Sequence, residues 1–145
     1  MEGMKVIFVR PGYEAEVKII GKDLASMQSI VGGNIEAVYF FDDPVAIICN
    51  EDGKINNLPP NRALTDSVGQ VLDVIAGDFF VCGLSGEDFT SLSDEMLDKY
   101  LKKFKYPESF VKVENKIIAV QHESIHSYKN NMDEEFFARL EKMFS

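Results

Sequence analysis

Hydrophobic residues are grouped into short strand-like runs along the first fifty positions. Residues 5–10 and 15–20 are rich in Val, Ile and Phe and flank the turn sequence Pro11-Gly12-Tyr13-Glu14, which predicts a hairpin. Alternating positions occur in residues 35–41, and a wholly apolar run follows in residues 45–49. We expect this second pair of strands to form the centre of a sheet.

Three further stretches have the spacing of amphipathic helices. Asp23 and Ser93 are suitable capping residues for the first two, and three acidic residues, 133–135, suit the start of the third. The apolar positions that share a face are Leu24, Met27 and Val31 in the first, Met96, Leu97, Tyr100, Leu101 and Phe104 in the second, and Phe136, Phe137, Leu140, Met143 and Phe144 in the third. A last strand over residues 116–121 precedes the third helix.

The middle of the chain is less regular. Residues 55–64 are polar and contain Pro59-Pro60, which predicts an ordered loop. Residues 71–75 and 79–82 are strand-like and flank Ala76-Gly77-Asp78. They form either a hairpin or one strand bent at the glycine, and the pattern does not choose between them.

These elements predict one α+β domain over residues 1–145, with a mixed, mainly antiparallel sheet packed against two or three helices. A chain of 145 residues has the usual size of a single domain. Its 46% hydrophobic and 27% charged residues match an ordinary globular protein.

Net charge predicts which partners the protein avoids, and the apolar runs and cysteines predict its cellular compartment. The net charge of −9 opposes phosphate backbones and anionic membranes, so we expect neither direct nucleic-acid binding nor membrane binding. No cationic leader and no run of about 18 apolar residues is present, which predicts a cytoplasmic protein. Cys49 and Cys82 lie in apolar runs, as reduced core thiols do.

The sharpest chemical motif is His122-Glu123-Ser124-Ile125-His126, which matches the H-E-x-x-H pattern of zinc peptidases. On a helix, His122 and His126 would share one face, with Glu123 beside them as a general base. However, strand-like residues lead into the motif, and on a strand the two rings would be about 13 Å apart. We therefore expect exposed, unliganded histidines and no metal, and keep a minimal zinc peptidase as the enzyme alternative.

A second candidate site surrounds Arg62, the only arginine between Arg10 and Arg139. Its planar guanidinium fork on a proline-stiffened loop would suit a phosphate or carboxylate. With Asn57, Asn61 and Tyr39 as further contacts, we expect a site for a small anionic ligand. In the alternative interpretation Arg62 pairs with Asp66 or Asp73, and the amides satisfy the backbone of the loop.

Residues 31–38, 48–54, 58–64 and 75–80 together resemble domain-of-unknown-function family 3846, whose members are small proteins encoded by phages, plasmids and conjugative elements of Gram-positive bacteria. The resemblance covers about residues 5–104 and brings no activity with it. It implies an accessory role in conflict with the host.

Together these features predict a non-enzymatic binding protein without a cofactor. It would counter host defence by sequestering a small nucleotide signal or by occupying a host protein. A homodimer is one arrangement in which a ligand pocket would form. An acidic mimic of nucleic acid is a further alternative, which would need carboxylates in rows on one face.

Overall fold

The structure is a computed structural model and describes residues 3–122. Within that range the chain forms ten strands and two helices. In chain order they are β1 Gly3–Val9, β2 Glu16–Gly21, α1 Leu24–Val31, β3 Ile35–Val38, β4 Val45–Asn50, β5 Pro60–Thr65, β6 Val71–Ala76, β7 Phe79–Ser85, β8 Asp88–Thr90, α2 Asp94–Phe104, β9 Glu108–Val113 and β10 Lys116–Gln121.

A six-stranded sheet forms the centre of the fold, with β2-β1-β7-β4-β3 in that order and β8 paired with β7. All of its pairings are antiparallel. Every residue of β4 is buried, because both faces of this strand are covered. Alternate side chains such as Ile47 and Ile48 therefore enter two different cores.

Each helix covers one face of the sheet. Met27 and Val31 of α1 pack on one face, and Tyr100 and Phe104 of α2 pack on the other. The capping residues are those expected from the sequence, since the side chains of Asp23 and Ser93 accept hydrogen bonds from backbone N–H groups in the first turns. The predicted α+β class is confirmed, and the third predicted helix lies outside the described residues.

Two smaller antiparallel sheets, β5–β6 and β9–β10, complete the described fold. The β5–β6 sheet packs into the core on the α2 side of the main sheet, and the β9–β10 sheet contacts β5 and β6. The chain passes from β6 into β7 through Gly77, whose φ of +81° favours glycine. Since β6 pairs with β5 while β7 joins the main sheet, the segment 71–82 is not a hairpin. The segment is closer to the alternative prediction of one strand bent at Gly77, because the chain continues through this glycine from β6 in one sheet to β7 in another.

Two local predictions are corrected. Residues 55–64 are not loop throughout, because Pro60–Thr65 is β5. Of the two strands expected at the centre of the sheet, β4 is central but β3 is an edge strand.

Candidate functional site

The four residues predicted to bind an anionic ligand do not share one exposed site. Tyr39 is 63% exposed and Asn57 is also exposed, whereas Asn61 is 1% and Arg62 0% exposed. Asn61 and Arg62 lie in β5, where pairing with β6 and packing on the main sheet enclose them. The prediction that Arg62 presents its fork from a loop surface is therefore wrong.

The Arg62 guanidinium is held by carbonyl oxygens from three parts of the chain. Its Nε donates to the Phe104 carbonyl at 3.1 Å, and one terminal nitrogen donates to the Tyr13 carbonyl at 2.6 Å. The other terminal nitrogen donates to the Asn61 carbonyl at 3.1 Å and to Asn61 Oδ1 at 2.9 Å. Because Phe104 ends α2, the positive charge also lies at the negative end of the helix dipole.

Asn61 completes this buried polar connection. Its Nδ2 donates to the Val9 carbonyl at 3.0 Å and to the Gly77 carbonyl at 2.8 Å, so one amide joins β1, β5 and the β6–β7 turn. The alternative interpretation was correct that the Asn61 amide satisfies backbone groups. It was wrong about Arg62, because Asp73 pairs with Lys54 and the Asp66 carboxylate accepts from nearby backbone N–H groups.

A partly buried carboxylate, that of Glu108, lies close to the same arginine. Glu108 Oε1 accepts a hydrogen bond from the Ala63 N–H at 2.9 Å, which links β9 to β5. Burial raises the pKa of Glu108, while the Ala63 hydrogen bond and the charge of Arg62 act in the opposite direction. We infer that Asn61, Arg62 and Glu108 form a structural cross-link rather than a ligand site.

The zinc-peptidase motif begins where β10 ends, as the sequence predicted. His122 is 5% exposed, which corrects the expectation that this histidine is exposed. Its Nε2 lies 2.6 Å from Ser109 Oγ, and burial lowers the pKa of the imidazole. Glu123 and His126 lie outside the described residues, and within residues 3–122 no group of three or more metal-binding side chains is arranged around a common point.

The outer edge of β2 is an open surface of the main sheet. Within the described residues β2 pairs with β1 alone and lies at the end of the strand order. Val17 is 46% and Ile19 67% exposed on one face of this edge. On the other face, Lys18, Ser26 and other residues of β2 and α1 line an open depression of about 420 Å³.

A second open surface lies between the two small sheets. The hairpin groove, as we call it, has a volume of about 720 Å³ and lies between β6 and β10. Leu72, Ile117 and Ile118 line it and are 60%, 36% and 48% exposed. Neither surface can be predicted from the sequence pattern, because alternation shows that a strand has two faces but not which neighbour covers each of them.

Two further features bear on function: the reactivity of the two cysteine thiols and the length of the helices. Cys49 and Cys82 are free and buried, as predicted, and burial raises their pKa values to about 11 and about 12. Such thiols are poor nucleophiles and metal ligands at neutral pH. No helix within residues 3–122 is long and apolar enough to cross a membrane.

A structural core of main sheet, β5–β6 sheet and two helices therefore corresponds to one stretch of sequence, residues 4–105. This stretch matches the family model described as "Domain of unknown function (DUF3846)", and the chain belongs to that family. The match ends just after α2, so β9, β10 and the residues beyond lie outside it. The chain matches no curated protein and no solved structure at a significant level.

Proposed function

We propose that the protein is a non-enzymatic accessory protein of a phage or mobile element that counters host defence by occupying a host protein. The genetic setting comes from the resemblance described above. Of the two modes of action predicted from the sequence, sequestration of a nucleotide loses its main support, because the Arg62 fork is engaged by carbonyl groups inside the protein.

The observation that carries the protein-binding mode is the outer edge of β2, which among residues 3–122 pairs with β1 alone. An edge strand can accept an extended peptide as an additional strand, with main-chain hydrogen bonds providing affinity and side-chain pockets providing specificity. Four consecutive residues of β2, starting at Glu16, are exposed. The apolar side chains of Val17 and Ile19 would contact alternate residues of the added strand.

The face of the β2 edge that lies beside α1 also supports the addition of a peptide strand there. Side chains of an added strand alternate between the two faces of the sheet. One set would lie beside Ile19, and the other would enter the depression between β2 and α1, where Ser26, Ser29 and Ile30 are available. The net charge of −9 favours a basic partner segment through long-range attraction.

The test is a plaque assay on bacteria that carry known defence systems and express the protein. We expect the wild type to raise phage plating on at least one defended host and Ile19→Lys to lose this effect, because a lysine on an edge strand opposes strand addition. Ile55→Lys is the matched control, since Ile55 is 79% exposed in the turn after β4.

Three results would each contradict a different part of the proposal. If the wild type changes plating on none of the hosts, the counter-defence role is wrong. If Ile19→Lys acts like the wild type at equal thermal stability, the role stands but the β2 edge is not its surface. Calorimetric titration with cyclic and linear nucleotides should show no binding, and a bound nucleotide would restore the small-ligand mode.

A further inference from the structure

The backbone of β2 shows which of its groups face the open edge. Lys5 of β1 directs both of its backbone groups away from β2: its N–H donates to Ser91 Oγ at 2.8 Å, and its carbonyl accepts from the Leu92 N–H at 2.9 Å. The residue of β2 that faces Lys5 is Ile19. Because facing residues of an antiparallel pair direct their backbone groups either toward each other or both outward, those of Ile19 point away from β1. The same holds for Val17, two positions earlier in the strand.

One end of this open edge is closed by the chain itself. The Ala15 N–H also points outward, and it donates to the Lys105 carbonyl at 2.9 Å. The residue after α2 therefore takes the place of a neighbouring strand beside Ala15. Among residues 3–122, no hydrogen bond reaches the backbone of Val17 or Ile19 from the outer side. An added strand thus has these two residues as its hydrogen-bonding positions.

Lys18 lies between these two positions, where an added strand comes closest. In an antiparallel ladder the Cα atoms of a non-hydrogen-bonded pair are about 4.5 Å apart, against about 5.5 Å in a hydrogen-bonded pair. The residue of an added strand that faces Lys18 belongs to such a close pair, and its side chain lies on the same face of the sheet. A lysine on an edge strand opposes pairing in general, whereas opposite charges in facing positions stabilise it. Lys18 therefore favours a strand with a carboxylate at this position.

The ammonium group of Lys18 is available for a carboxylate. The side chain is exposed, and Nζ lies 4.7 Å from the centre of the Phe8 ring, a contact that leaves its N–H groups without an acceptor. In the described part of the chain, neither Lys18 nor Glu16, its neighbour on the same face of β2, forms an ion pair. The edge thus presents one negative and one positive group in a fixed order.

We propose that the β2 edge binds an extended segment of the host protein in which apolar residues face Val17 and Ile19 and an acidic residue faces Lys18. A basic residue of the same segment faces Glu16. This inference rests on the proposed contact between β2 and a host protein, and it specifies the sequence that is bound. In antiparallel pairing, the more stable arrangement per residue, the segment reads apolar-acidic-apolar-basic from its amino end.

Two synthetic peptides test the residue that faces Lys18. One has the core Val-Glu-Val-Lys and the other the core Val-Lys-Val-Lys, between identical serine and threonine flanks. In an NMR titration of the isotopically labelled full-length protein at physiological ionic strength, the Glu peptide should shift the amide signals of Val17 and Ile19. It should bind at least about threefold more tightly than the Lys peptide. Lys18→Glu should reverse this preference.

The matched control is Lys112→Glu, the same change of charge at an exposed lysine of β9, which should keep the wild-type preference. The dispersion of the NMR signals establishes that each variant is folded. Equal affinity of the two peptides for the wild type overturns the proposal, as does an unchanged preference in Lys18→Glu. Binding that leaves the signals of Val17 and Ile19 in place, or no binding of either peptide, also overturns it.

These outcomes are distinct from those of the plaque assay. If Ile19→Lys abolishes the effect on plating but the peptides show no preference, the host contact stands and the sequence motif is wrong. If the Glu peptide is preferred but the wild type changes plating on no host, the motif stands and the counter-defence role is wrong. Signals of Val17 and Ile19 that shift with protein concentration alone overturn the motif, since a second copy would then occupy the edge.

Discussion

Replacement of Arg62 by methionine tests directly whether this arginine is a structural residue. Methionine retains an unbranched apolar stem but removes all of the donors. The carbonyl groups of Tyr13 and Phe104 then lose the partner that joins β5 to the first hairpin and to the end of α2. The buried acceptors that lose their donor are the Phe104 carbonyl and Asn61 Oδ1. A buried acceptor without its donor costs about 1–3 kcal/mol, so these two together cost about 2–6 kcal/mol.

We therefore expect Arg62→Met to lower the free energy of unfolding by about 3–5 kcal/mol, a large part of the stability of a typical domain. Arg62→Lys should lose about 1–3 kcal/mol, because an ammonium group cannot reach all of the carbonyls that the planar fork reaches. An exposed, ligand-binding arginine would instead change stability by no more than about 0.5 kcal/mol.

Urea unfolding followed by far-ultraviolet circular dichroism measures these differences. Arg10→Met is the matched control: the Arg10 guanidinium lies 4.3 Å from the centre of the Tyr13 ring and is only partly buried, so its loss should cost about 1 kcal/mol or less. A loss below about 1 kcal/mol for Arg62→Met, with an unchanged m-value, would refute the buried cross-link.

Two further predictions concern titratable groups whose pKa values burial raises, wholly or in part. Because burial raises the pKa of Glu108, the folded state holds its proton more tightly, and this residue's contribution to stability should decrease as pH rises from its unfolded pKa of about 4.3 through its higher folded pKa. The stability difference between the wild type and Glu108→Gln should vary across this window in urea unfolding, and a constant difference would contradict the shift. The buried thiols of Cys49 and Cys82, with pKa values of about 11 and about 12, should react with a disulfide reagent at pH 8 at least about tenfold more slowly in the folded protein than in urea, and equal rates would mean that the thiols are accessible.

Local chemistry in the sequence determined several elements of this fold. A capping carboxylate or hydroxyl and regular apolar spacing are short-range features, which is why Asp23 and Ser93 marked the starts of α1 and α2. The strand around residues 116–121 was predicted from its β-branched and apolar composition, which is also a local feature, and the structure has it as Lys116–Gln121. The family resemblance over about residues 5–104 also agrees closely with the match at residues 4–105.

Contacts between residues far apart in the sequence decided whether the candidate site residues are exposed or buried. Two prolines and several amides around Arg62 indicated a surface loop, but its partners Tyr13 and Phe104 lie 49 and 42 positions away in the chain. Only the tertiary fold brings their carbonyl groups together, and a guanidinium group so enclosed is no longer available to a ligand. His122 became buried in the same way, through Ser109 on the neighbouring strand. The sequence determines which residues can form strands and helices, whereas the order of the strands decides which faces and edges are covered and which, like the edge of β2, are left open.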